Sequence, residues 1–202
     1  MAEPDPAAMF ESMYVAAAAG DGTVPWERGA PHPLLEPWVR ELDGGGRRAL
    51  VVGSGLGNDA ELLAARGLHV VAFDFAPTAV ASARRRFPGS PVDYRVADLL
   101  DLPAQWIGAF DLVVEVLTVQ STPPALHAGA TAAVASAVAS GGTLLVVATA
   151  RADGSPEPDG PPWPLLRAEV EAFATAGLEE DFIELVRDAG TAPHWRARFR
   201  RP

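Results

Sequence analysis

The stretch from Leu50 to Asp74, LVVGSGLGNDAELLAARGLHVVAFD, limits the possible fold more tightly than any other part of the chain. Leu50-Val51-Val52 is a short apolar run rich in β-branched residues that halts at Gly53, the pattern of a buried parallel strand entering a tight turn. Gly53, Gly55 and Gly57 then alternate. Glycine accepts positive φ and lacks a Cβ, so a ligand can lie directly against such a turn. From Asn58 or Asp59 the spacing of Ala60, Leu63 and Ala64 predicts a helix, with Gly67 as its stop. A second strand, Leu68 to Phe73, runs into Asp74. An acidic residue there, about 20 residues past the glycines, is where a parallel α/β sheet receives the hydroxyls of a ribose. The first expectation is therefore a nucleoside site.

The glycine spacing narrows which nucleoside. A dinucleotide site uses G-x-G-x-x-G, whose helix start faces a pyrophosphate. Here Asn58 stands at the third such position, and Asp59 at the helix start would repel a pyrophosphate while favouring a nearby cation.

Composition excludes several classes. A chain of 202 residues suits one domain with a sizeable core, or one with a small cap. Its net charge of −10 argues against a nucleic-acid backbone as partner, because such binding depends on neutralising phosphates. The basic end, Arg196, Arg198, Arg200 and Arg201, alternates along HWRARFR, which predicts a solvated edge strand. There is no cysteine, so disulfides and thiolate sites are excluded. The four histidines, His32, His69, His127 and His194, stand singly, and no metal site is expected. The first residues carry acids where a secretion signal needs positive charge, and no apolar run approaches a membrane span. A soluble cytoplasmic protein with no membrane or nucleic-acid partner is the expectation; oligomeric state is not legible.

Along the chain, Pro6 to Ala19 reads as a helix ended by Gly20-Asp21-Gly22. Prolines at 25, 31, 33 and 37 prevent a continuous helix until Leu34 or later. Trp26 and Trp38 in that segment need burial, which makes residues 1–45 a lid packed over the remainder, 46–202. Thr78 to Phe87 reads as a helix whose Arg84, Arg85 and Arg86 are solvated, Val92 to Ala97 as a third strand, and Phe110 to Leu117 as a fourth. An alanine-rich helix, Pro124 to Ser140, is stopped by Gly141-Gly142 before a fifth strand, Thr143 to Thr149. After a Pro/Gly/acid loop, Ala152 to Pro164, come a helix, Leu165 to Ala176, and two strands, Leu178 to Val186 and His194 to Phe199, joined through Arg187-Asp188-Ala189-Gly190. This alternation predicts an α/β, Rossmann-like, doubly wound seven-stranded mixed sheet, parallel with a C-terminal antiparallel hairpin, with helices on both faces and an N-terminal helical lid.

Several motifs recur in one order. V-V-G-S-G-L-G at 51–57 resembles motif I of the class I S-adenosyl-L-methionine-dependent methyltransferases; Phe73-Asp74-Phe75, Ala97-Asp98-Leu99, Phe110 to Glu115 and Gly141 to Leu144 are similar to that family's later motifs. The resemblance implies S-adenosylmethionine as cofactor, a ligand with no phosphate. It implies that Gly53, Ser54, Gly55 and Gly57 line the methionyl part, with Asp59 near the sulfonium. It further implies that Asp74 accepts from the ribose, that Asp98 accepts from the adenine amine, and that Phe75 and Leu99 clamp the adenine, with Glu115 and Val116 beside them. PWERGAPHP at 25–33 is similar to the P-W-(D or E)-x-G element of the small-molecule branch, the thiol, halide and thiopurine methyltransferases. That likeness implies Trp26 over the methionine end and Arg28 on its carboxylate. The segment after the fourth strand departs from the thiopurine enzymes, and Thr122-Pro123-Pro124-Ala125 lacks the amide and ring of nucleobase N-methylating enzymes.

Methyl transfer from sulfonium is an in-line displacement in which charge separation shrinks, so alignment in a dry pocket supplies most of the rate and a general base is optional. The expected partner is a small-molecule acceptor: a thiol, halide, phenol or amine. Glu115 is the first candidate for a polar catalytic contact, followed by His127 and Tyr14, with Gln120 and Ser121 as further substrate contacts. His127 is expected on the exposed face of its helix. Two alternatives stay open: an NAD(P)-dependent oxidoreductase, for which no lysine is placed to complete a Ser-Tyr-Lys set, and a noncatalytic nucleoside-binding protein.

Overall fold

The computed structural model describes residues 6–187 and 191–202. The chain divides into two compact units, one ending at Asp98 and the other beginning at Leu99.

In the first unit, α1 (Pro6–Ala19) and α2 (Glu36–Arg40) precede β1 (Arg48–Val52), α3 (Asn58–Ala64), β2 (His69–Asp74), α4 (Pro77–Arg86) and β3 (Asp93–Val96). The three strands lie parallel in the order β3-β2-β1, with Val52 opposite Phe73 and Asp74 opposite Val96. Leu50, Val51, Val52, Ala72 and Phe73 are all buried, as continuous apolar runs in a covered parallel sheet should be. Pro77 opens α4 at a first-turn position that has no need of an N–H. α1 is not a free arm. Tyr14 packs with Val24, Ala76, Ala79, Ala17 and Leu56, and Glu11 accepts hydrogen bonds from the Thr78 N–H (3.3 Å) and hydroxyl (2.5 Å).

In the second unit, β4 (Phe110–Val116), α5 (His127–Ser136), β5 (Val138–Thr149), α6 (Arg167–Thr175), β6 (Glu179–Val186) and β7 (His194–Arg200) follow in turn. The strand order is β4-β5-β7-β6, with β4 and β5 parallel and β7 antiparallel to both neighbours. Seven strands and a terminal antiparallel pair are what the sequence predicts. The expected turn between β6 and β7 falls largely on residues 188–190, outside the described residues.

Three expectations are corrected. The alanine-rich helix is shorter: Pro124–Leu126 is a 3-10 turn, α5 ends at Ser136, and β5 already begins at Val138. Gly141-Gly142 is a bulge inside the strand rather than a stop before it. Pairing jumps from Phe110 with Val138 to Leu112 with Thr143, Gly141 has φ 74°, and a Cβ on Gly142 would lie 2.8 Å from the Ala139 carbonyl. Second, β7 is no edge strand. It lies between β5 and β6, and its arginines form ion pairs with β6: Arg196 with Glu184, and Arg198 and Arg200 with Asp181, each at 2.8 Å. Alternation correctly placed the arginines on one face, but it carries no information about a strand's position in the sheet. Third, Arg84 and Arg86 are engaged rather than merely solvated: Arg84 donates to the Tyr94 carbonyl, and Arg86 is taken up below. Among the described residues, no helix is long and apolar enough to cross a membrane.

Candidate functional site

The turn after β1 is held in shape by the end of β2. Gly53, Gly55 and Gly57 have φ of 61°, 51° and 93°, a path that side-chain-bearing residues rarely follow. Ser54 donates its N–H to the Phe73 carbonyl at 2.8 Å, and Gly57 donates to the Ser54 carbonyl at 2.9 Å. Asp74 is buried and works from both oxygens: Oδ2 accepts the Gly55 N–H at 2.9 Å and Oδ1 the Ala76 N–H at 3.0 Å. Burial pushes its carboxyl up from the usual range, opposed by those two N–H groups. Each carboxylate oxygen has a second lone pair, so Asp74 can shape the turn and still accept from a ribose hydroxyl. The Ser54 Oγ is buried and has no partner among the described residues, an orphaned donor and acceptor inside the same turn.

The glycines have different reasons. A Cβ at Gly57 would overlap the Tyr94 hydroxyl and lie 3.1 Å from its Cζ, so that position is occupied by the protein's own ring. At Gly55 a Cβ would lie 3.2 Å from the Tyr14 hydroxyl.

Tyr14 brings α1 onto this turn. Its hydroxyl accepts the Trp26 indole N–H at 3.2 Å, and Trp26 meets Tyr14 and Phe10 edge-on at 5.8 and 5.2 Å, with Phe10 a further 6.2 Å from Phe75. Trp26 and Phe75 stay more than a third exposed, so this aromatic group presents open ring surface. Burial, then the field of Asp74, pushes the Tyr14 phenol up, which makes it a hydrogen-bond donor rather than a base. Arg28 is exposed.

Behind the turn, the N-terminal segment is fastened to the start of α3. Glu27 accepts from the Asn58 amide at 2.6 Å, Asp59 accepts the His32 N–H at 2.7 Å, and Arg86 donates to the Leu56 carbonyl at 3.1 Å and to Asn58 at 3.2 Å. Arg86 also lies 3.6 Å from Glu27. Burial lifts the Asp59 carboxyl to about 6 against the pull of the His32 N–H. Glu27, Asn58 and Arg86 were not anticipated as site-building residues. The signal available for Glu27 was its acidic place in PWERG. Asp98 is exposed at the end of the first unit.

In the second unit, Leu99 is buried and Val116 partly so. Glu115, at the end of β4, is fully buried. Its Oε1 accepts the N–H groups of Thr118 (2.7 Å) and Val119 (2.9 Å), which holds a turn in which Leu117 takes φ 60°; its Oε2 has no partner among the described residues. Burial lifts this carboxyl to about 7, opposed by those N–H groups and by His127. Gln120 is committed to Thr149, accepting its N–H at 2.6 Å and donating to its hydroxyl at 3.2 Å, and Ser121 donates to the Leu117 carbonyl. Both therefore help to build the loop. His127 is buried, not exposed: Nδ1 lies 2.7 Å from Glu169 and Nε2 2.9 Å from the Thr122 carbonyl. Helix α5 has no polar face for it to join, and the carboxylate supplied by α6 is 42 residues away in sequence. Among the described residues no three His, Cys, Asp or Glu side chains are grouped to hold a metal.

Strand order, glycine turn and acidic strand end are those of a Rossmann-like doubly wound fold. Residues 49–142, a little under half of the chain, match the family described as methyltransferase domain. The ubiquinone biosynthesis O-methyltransferase of Aromatoleum aromaticum is 34% identical over 116 residues, which are 56% of this chain and 49% of the relative, so the match spans about half of that protein. Among solved structures, the 1,6-didemethyltoxoflavin-N1-methyltransferase of Burkholderia thailandensis, with S-adenosylhomocysteine bound, superposes with a TM-score of 0.74 at 16% identity, covering 100% of this chain and 92% of that one. The cyclase SpnF superposes equally well, with a TM-score of 0.74 at 20% identity over 97% of this chain and 94% of its own.

Proposed function

We propose that the chain transfers a methyl group from S-adenosylmethionine to a small organic acceptor, with residues 1–45 acting as a lid. The observation that carries this reading is the chemistry of the turn after β1. Its open backbone is flanked by two acids, the half-buried Asp59 and the buried Asp74, and by a Ser54 hydroxyl that has no partner among the described residues. A diphosphate would meet like charge there, whereas an uncharged ribose meets acceptors and a cationic sulfonium meets a favourable field. Asn58, where a dinucleotide site needs glycine, is already spent on Glu27 and Arg86, which also counts against NAD.

On this reading Gly53, Ser54 and Gly55 hold the methionyl portion, Asp74 the ribose, and Phe75 and Asp98 the adenine. When bound, the cofactor supplies an activated methyl group and a neutral thioether leaving group. The chain's share is alignment and exclusion of water by the aromatic group of Phe10, Tyr14, Trp26 and Phe75. Glu115 is the first candidate for orienting or deprotonating an acceptor. Its unpartnered Oε2 and a carboxyl lifted to about 7 suit either role near neutral pH. His127 is set aside as a free base, because both its ring nitrogens are engaged. A second reading, in which the nucleoside is bound without methyl transfer, gains support from the likeness to a cyclase.

The test is release of S-adenosylhomocysteine from S-adenosylmethionine in the presence of thiophenol, catechol, iodide or aniline. Turnover with at least one of the four supports transfer. Tight binding of the cofactor with no product from any acceptor favours the second reading.

A further inference from the structure

The two segments that leave the carboxyl ends of β4 and β5 form one hydrogen-bonded assembly with a histidine at its centre. The Trp163 N–H donates to the Gln120 carbonyl at 2.7 Å, Gln120 holds Thr149, and Arg151 donates from Nε to the Pro164 carbonyl at 3.2 Å. His127 joins the two: Nε2 faces the Thr122 carbonyl in the segment after β4, and Nδ1 faces Glu169, the first-turn acid of α6, into which the segment after β5 leads.

Ring protonation follows from these partners. A carbonyl oxygen only accepts, so Nε2 carries a proton. Glu169 accepts the Leu166 N–H on Oε2 at 2.7 Å and lies 3.6 Å from Arg151, partners suited to a carboxylate. Burial pushes its carboxyl up, but the His127 and Leu166 hydrogen bonds outweigh that and hold it below the usual range. A carboxylate oxygen also only accepts, so Nδ1 carries a proton too, and the ring is an imidazolium.

The charged groups facing His127 are Glu169 from α6 and Glu115 from β4, with Arg151 beyond Glu169 and Glu157 3.6 Å beyond Arg151. In an open α/β sheet ligands enter at the carboxyl ends of the strands, where both segments start. Neither segment has regular structure of its own beyond short turns and the Ala150–Leu165 bridge, so these side-chain bonds act beside the backbone bond from Trp163 to Gln120 in arranging them.

We propose that His127 is a positioning residue which, as an imidazolium, fastens the segment after β4 to the one after β5 and so fixes the acceptor side of the reaction. This rests on the methyltransferase reading for what the assembly serves, but not for the assembly itself. The hydrogen bonds from Nδ1 and Nε2 are the fastener.

Ring nitrogen NMR on the full chain at pH 7 reads the charge directly. Shifts of a doubly protonated ring support the proposal, and those of a neutral tautomer overturn it. In a His127→Gln variant, amide exchange in residues 119–126 and 152–164 is expected to accelerate about fivefold. The acceptor KM, with thiophenol or catechol, is expected to rise about tenfold with kcat and S-adenosylhomocysteine affinity nearly unchanged. Unchanged exchange, or a parallel loss of S-adenosylhomocysteine binding, overturns the proposal. If the wild type methylates none of thiophenol, catechol, iodide and aniline, the functional reading fails, and ring charge and exchange still decide whether His127 is the fastener.

Discussion

Replacing Gly57 by alanine separates packing from ligand binding within one short turn. Gly57 has φ 93°, and an L-residue held at positive φ costs on the order of 1–2 kcal/mol. The new Cβ would also overlap the Tyr94 hydroxyl, which is buried and donates to Glu61 at 2.6 Å. Moving that ring gives up the hydrogen bond and strains a filled space, for about 2–3 kcal/mol more. A loss of about 4 kcal/mol is a large part of a typical domain's stability and should lower Tm by on the order of 10 °C. Tyr94→Phe alone removes the hydroxyl and one hydrogen bond, costing about 1 kcal/mol. In the Gly57→Ala background the same change relieves the overlap, so it should be neutral or stabilising, a coupling of about 1–2 kcal/mol in a double-mutant cycle. Urea titration of the four proteins reads these values. Gly55→Ala is the contrast: at φ 51°, with the Tyr14 hydroxyl 3.2 Å from the new Cβ, it should cost about 1 kcal/mol of stability yet abolish S-adenosylhomocysteine binding. A Gly57→Ala protein within 1 kcal/mol of wild type, or a Tyr94→Phe cost equal in both backgrounds, would refute the packing account.

Asp59, half-buried, and Glu115, fully buried, make pH predictions of the same sign. Asp59 is lifted to about 6 and Glu115 to about 7, both chiefly by burial, so each lowers stability as pH rises from its unfolded value to its folded one. Asp59→Asn should flatten the stability profile between about pH 4 and 6, and add on the order of 2 kcal/mol at pH 7 while its side-chain oxygen still accepts the His32 N–H. Glu115→Gln should do the same between about pH 4.5 and 7; if the carboxylate also serves the acceptor, the rise in turnover near pH 7 disappears in this variant. Tyr14→Phe removes the acceptor for the Trp26 indole and should weaken S-adenosylhomocysteine binding about fivefold by calorimetry, with stability changed by less than about 1 kcal/mol.

The elements were legible where a local rule decides them. Leu50-Val51-Val52 before alternating glycines fixed β1 and its turn, Gly67 at φ 81° and Gly177 at φ 87° closed α3 and α6, and Asp74 stood where a β2 acid should. Gly141-Gly142 misled because a glycine pair is the same signal for a helix stop and for a bulge, and only the register against Phe110 and Leu112 tells them apart. The arginines of β7 misled because period-two alternation reports a face, not a neighbour. His127, Gln120 and the Glu27–Asn58–Arg86 group depend on partners 28 to 42 residues away, so no local pattern marks them. The same long reach explains why Asp59, legible as a helix-start acid, turned out also to hold His32.

The central claim is that the turn from Gly53 to Gly57, with Asp74 behind it, receives a phosphate-free sulfur nucleoside. Titration calorimetry of the full chain with S-adenosylhomocysteine and, separately, with NAD tests it most directly, with Asp74→Asn as the control. The account predicts saturable S-adenosylhomocysteine binding, weakened at least about tenfold by Asp74→Asn, and no heat with NAD. Binding of NAD alone, or S-adenosylhomocysteine binding indifferent to Asp74→Asn, would contradict it.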